Sequence, residues 1–204
     1  MPGGGVPSWM IHEDARVPVL LALWLRQTLG IASPTELPRL RGVPGPSQAA
    51  RDVDGHDLLE RQWRDWWAMT VEPEAHPSPV PLQLVDEYGL WVALPVTGAD
   101  ELAAAIRPLR QSAMAWTDWA RNTYESASTA RPADSYRAYA GTIAEHEREV
   151  GRRAHSFELN VEVLPLAERG VWWIGSLTIA VTDALRSDPA AFDRAIHPII
   201  AEIA

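Results

Sequence analysis

The chain contains no lysine and no cysteine; all 18 of its basic residues are arginine. Without lysine there is no Schiff-base or pyridoxal-phosphate chemistry and no Walker-type phosphate-binding lysine. Without cysteine there is no thiol nucleophile, disulfide, iron–sulfur cluster or cysteine-ligated zinc. Phenylalanine is almost missing too, with 2 residues beside 10 tryptophans. Alanine, arginine, proline and glycine abound while lysine and asparagine are scarce. A GC-rich coding sequence gives that profile without selection on function. It accounts less well for tryptophans that recur in tight pairs and triplets.

Long apolar runs are also lacking. The longest, Val17 to Leu25, includes Pro18 and falls well short of the roughly twenty residues a membrane-spanning helix needs. Met1 to Arg16 has no basic stretch ahead of an apolar one and carries Glu13 and Asp14, so no targeting segment is expected and the expected location is the cytoplasm. The net charge of −9 argues against nucleic acid and anionic lipid as partners, because phosphate binding needs a basic face.

A length of 204 residues with 47% apolar and 22% charged residues suits a folded chain able to bury a sizeable core. Residues 1–13, with three consecutive glycines, read as a flexible lead, and 14–204 as a single α+β domain. Val17 to Leu25 is apolar on all sides and predicts a buried helix, capped by Asp14, running to about Thr28 and stopped by Gly30. A second helix starts at Asp54, with Asp57 reaching back; Leu59, Trp63, Trp66 and Trp67 form its apolar stripe. Four prolines punctuate residues 72–81. A hairpin follows, Leu82 to Val85 and Leu90 to Val96. Thr97 and Asp100 open a long third helix to about Tyr124, kinked at Pro108. A fourth helix spans about Ala133 to Arg153. Phe157 to Val163 alternates apolar and polar residues, which predicts a half-buried strand, with Val171 to Val181 returning beside it as a second hairpin. Ser187 or Asp188 caps the last helix, with Pro189 in its first turn. The expected fold is therefore α+β, with about five helices packed on two antiparallel β-hairpins.

Residues 102–109 align without gaps on 192–199, with Pro108 matching Pro198. The match is either chance in an alanine-rich chain or the trace of a ββα duplication. A duplication would allow the two hairpins to form one four-stranded antiparallel sheet.

No constellation carries a recognisable chemistry. His146 sits among acids but has no second histidine at i+4, where Val150 stands, so the stretch reads as a solvated helix face. Asp52, Asp54, His56 and Asp57 lack the spacing of a calcium loop. Glu72, Glu74 and His76 alternate in a proline-rich linker, the simpler reading being solvation rather than metal binding. His197 lies on the polar side of the last helix with no carboxylate matched to it by spacing. There is no nucleophile elbow and no dinucleotide fingerprint. No cofactor and no metal are called for.

The tryptophans remain. Trp24, Trp91 and Trp116 read as core. Trp63, Trp66 and Trp67 need a deep partner surface, either the protein's own core or another protein. Trp172 and Trp173 are strand neighbours and point to opposite faces, so one of them shares a face with Glu158, Asn160 and Glu162 and should be partly exposed. The resulting expectation is a non-enzymatic interaction or assembly protein. Its surface would be Trp63, Trp66, Trp67, Trp172 and Trp173, and its partner another protein or a second copy. The alternative is a small-molecule binder or enzyme with an aromatic-lined pocket served by carboxylate, histidine or arginine.

Overall fold

Val17–Leu29 forms helix α1 at the centre of the molecule, and every residue from Val19 to Leu25 is buried, as a run apolar on all sides requires. Gly30 ends it with φ at 75°, returning its N–H to the Arg26 carbonyl. Asp14 does not cap it. The Asp14 carboxylate accepts from the Ala15 N–H and pairs with Arg121 instead. The computed structural model describes residues 9–46, 55–130 and 137–204.

The other elements are β1 (Trp9–Asp14), α2 (His56–Val71), β2 (Leu82–Leu84), β3 (Ala93–Pro95), α3 (Asp100–Ile106), α4 (Arg110–Ala130), α5 (Arg137–Val150), β4 (Phe157–Leu164), β5 (Val171–Trp173), β6 (Thr178–Thr182), the short α6 (Asp183–Arg186) and α7 (Pro189–Ile203). The expected third helix is two helices. Pro108 sits in a 3-10 turn at Arg107–Leu109 that separates α3 from α4, and α4 then runs past Tyr124 to Ala130. Among the described residues the split gives six helices in place of the expected five, beside the short α6. Asp54 lies outside the described residues, and no side chain caps α2. Asp188 does cap α7, accepting from the Ala191 N–H.

The fold is mixed helix and strand, but the main sheet is not antiparallel. Its order is β1-β4-β6-β5, with β1, β4 and β6 parallel and only β5 reversed. Two expectations fail here. Trp9–Asp14, all but Asp14 of it assigned to a flexible lead, is an edge strand paired along its whole length with β4. The segment after β4 does not fold straight back on it. Residues 165–167 bond to residues 39–41 of the connector instead, through Arg41 N–H to Pro165 O and Ala167 N–H to Arg39 O. That detour carries the chain outward, so β5 is the far edge and β6 fills the place beside β4.

Helices cover both faces of this sheet, which explains its apolar strands. On one face Leu159, Val161, Val163, Ile179 and Val181 pack on Tyr139 and Ile143 of α5 and Phe192, Ile196 and Ile200 of α7. On the other, Leu164 and Ala180 join the core built around α1, α2 and α3. The two hairpins lie in different sheets, β2–β3 being a separate pair. The matched prolines also differ, since Pro198 lies inside an unbroken helix.

Candidate functional site

The tryptophan stripe of α2 is core. Trp63, Trp66 and Trp67 are 0%, 3% and 6% exposed. The deep surface they require is α1: the Trp63 indole N–H donates to the Ala22 carbonyl at 3.0 Å, and the Trp63 and Trp67 rings stack at 5.4 Å. Their expected role as an exposed interaction surface is corrected accordingly.

Trp172 and Trp173 differ. Trp172 stands opposite Ala180, which stands opposite Glu162, so Trp172 shares the face of the acids; Trp173 stands opposite Ile179 on the apolar face. Both are partly exposed. The acidic face is not uniformly wet. Glu162 is buried against Arg16, whose backbone N–H donates to it at 2.9 Å and whose Nε also bonds it. Burial raises the Glu162 pKa, with Arg16 opposing the shift.

The other charged groups near the strand ends are engaged with one another. Glu13 accepts from Tyr139 Oη at 2.7 Å and from Arg186 Nε at 2.6 Å. Asp14 pairs with Arg121. His146 is buried, not solvated, and His197 lies 3.5 Å from Glu149 across the α5–α7 contact. Glu72 turns inward, accepting from Ser176 Oγ at 2.6 Å and the Leu177 N–H at 3.1 Å. Among the described residues no group of three or more His, Asp or Glu is placed to hold a metal.

The apolar surface lies elsewhere, on an arm formed by residues 79–98. Its inner face is anchored. Val92 and Leu94 are buried, and Tyr88 Oη donates to the Ile106 carbonyl at 2.7 Å, burial raising the Tyr88 pKa. Arg110 Nε bonds the Glu87 carbonyl, and Arg107 pairs with the Glu87 carboxylate at 3.2 Å. Its outer face has no polar residue. The register Leu82↔Pro95 and Leu84↔Ala93 places these four side chains on one side of the pair, opposite Leu94. Leu82 and Leu84 are 50% and 45% exposed, and the adjoining Leu90 and Trp91 are 80% and 45% exposed. Trp91, expected in the core, is therefore at the surface. With Val96, these residues make up most of the large exposed apolar side chains of the described chain; Met10, Trp119, Val150 and Leu177 are the others.

Cavities flank the arm on two sides. One of about 690 Å³ lies between α2 and the proline segment, lined by Met69, His76, Pro77, Pro79, Val80 and Pro95 among others. A second, of about 190 Å³, collects Leu84, Pro95, Asp86, Asp100 and Arg107. The sequence signal for this arm lies in Leu90 to Val96, which is apolar toward both faces, beside Leu82 and Leu84 on one face of the partner run, more apolar surface than two short strands can bury. No helix among the described residues is long and apolar enough to cross a membrane. Comparison of the chain with protein-family models, curated proteins and solved structures finds no match.

Proposed function

We propose that the protein is a recognition module that binds another protein through the arm of residues 79–98. The observation that carries this reading is the wholly apolar outer face of β2–β3. A two-stranded sheet gains stability when a hydrophobic face is covered, and contiguous exposed apolar patches mark interaction sites. The partly exposed Trp172 and Trp173, on β5 at an edge of the four-stranded sheet, offer a second place where a partner gains apolar contact. Large aromatic residues there would act as anchors.

Affinity capture from the native host tests the reading, comparing the wild type with a Leu82→Ser, Leu84→Ser double variant. Half-exposed positions tolerate such changes to within about 0.5 kcal/mol each, so fold is retained. A set of proteins captured by the wild type and lost from the variant is the expected result. Identical capture profiles for the two proteins would contradict it.

A further inference from the structure

Resting on that reading of the arm, we propose that β2 receives an extended segment of the partner, both basic and apolar, as a third strand of the arm sheet. The backbone geometry supplies the edge. Val96 N–H donates to Pro81 O and Val85 N–H to Val92 O, so residues 81, 83 and 85 face β3. Alternation along an antiparallel ladder then turns the N–H and C=O groups of Leu82 and Leu84 outward. Among the described residues β2 has no neighbour on that side.

Edge strands are normally protected by charge, proline or a bulge. Leu82-Gln83-Leu84 has none of these within it, its only restraint being its three-residue length. Strand addition uses such an edge for main-chain bonds and draws specificity from alternate side chains. Here the alternate side chains of the incoming strand meet the apolar face that β2 and β3 leave uncovered.

Charge decides the partner. Around the arm the chain carries Asp86, Glu87, Asp100 and Glu101, and Arg107, the one cation among the described residues lining the cavity beside Leu84, is paired with Glu87. Asp86 and Asp100 line the same cavity as Leu84, and neither has an ion-pair partner among the described residues. A second copy would bring the same acids to the same edge, and like charges across an interface cost affinity. A strand carrying lysine or arginine beside valine, isoleucine or leucine complements both features.

Selection from a random octapeptide display library against the full chain, followed by titration of the synthetic winners, tests this directly. The expected winners alternate basic and apolar residues, and their affinity falls with salt. Leu84→Pro deletes one outward N–H and Leu84→Ala keeps it, while neither touches the ladder to β3. Binding should be about tenfold weaker to the proline variant than to the alanine variant. Methylating alternate backbone nitrogens of the peptide should weaken it similarly. Circular dichroism and urea unfolding of both variants keep a folding defect distinct from a binding defect. Winners that lose affinity on Leu82→Ser, Leu84→Ser but ignore proline and N-methylation would overturn strand addition and leave the recognition reading standing. Acidic winners, or none, would overturn the proposed partner. Winners indifferent to every arm substitution would overturn both. A dimer in sedimentation that the same arm variants dissociate would identify a second copy as the occupant and overturn the basic partner.

Discussion

Gly175 and Glu72 are in such close contact that no side chain fits between them: a Cβ on residue 175 would lie 2.7 Å from the Glu72 carboxyl carbon and 2.9 Å from Val71 Cγ1. The carboxylate is held there by Ser176 Oγ and the Leu177 N–H. One acid at the end of α2 thus fixes the β5–β6 turn. Gly175→Ala should cost about 1–3 kcal/mol in urea unfolding, the range for overpacking a well-fitted site. The cost should shrink in a Glu72→Ala background, where the main obstacle is gone.

Glu72 also gives this contact a pH dependence. Burial opposes its ionisation, but the Ser176 hydroxyl and the Leu177 and Ser176 N–H groups outweigh it and hold its pKa below the ordinary value. A carboxylate whose folded pKa is depressed contributes stability that is present above the unfolded pKa and lost as pH falls through the folded one. Glu72→Gln should therefore lower stability at neutral pH and flatten its decline in acid. Urea midpoints across that range measure both effects.

Arg16 and Glu162 make the opposite case. Glu162 is buried with its pKa raised, so its ionised form is tolerated only because Arg16 bonds it. Arg16→Met leaves a buried charge without compensation, which costs about 3 kcal/mol or more at neutral pH. A raised carboxylate pKa penalises the fold above the unfolded pKa and is relieved on protonation. The deficit of Arg16→Met should accordingly narrow as pH falls through the acidic range. An equal deficit at every pH would show that lost packing, not charge, dominates.

The tryptophans divide by depth. Trp63→Ala should destabilise by about 3–5 kcal/mol, since it empties a buried stacked site and removes the indole hydrogen bond to the Ala22 carbonyl. Trp91→Ala should change stability by about 0.5 kcal/mol or less. Thermal or urea unfolding of the two variants measures the contrast.

Local features were legible where the chain itself enforces them. The apolar surround of Val17–Leu25, the stop at Gly30, the start of the last helix at Pro189 and a disturbance at Pro108 each follow from neighbouring residues, although at Pro108 the expected kink is a full break. The sheet was not, because period two is the same for parallel and antiparallel strands. Nothing near Trp9–Asp14 announces a strand whose partner lies at Phe157–Glu162. Nor does local spacing reveal that residues 165–167 pair with 39–41 rather than turn back. The indole stripe of α2 was readable as a stripe, but choosing core over interface required knowing that α1 lies against it. The arm lies between these cases. Its runs were visible as a hairpin, but that Trp91 and the Leu82 and Leu84 side chains stay at the surface depends on what packs against them, which local spacing does not show.

Backbone hydrogen exchange on the complex with a captured partner or selected peptide tests the central claim most directly. Binding at the arm predicts new protection of the Leu82 and Leu84 amides, which face outward in the free protein, with little change at β4 and β6. Protection confined to other elements, or none at residues 82–84, would contradict it.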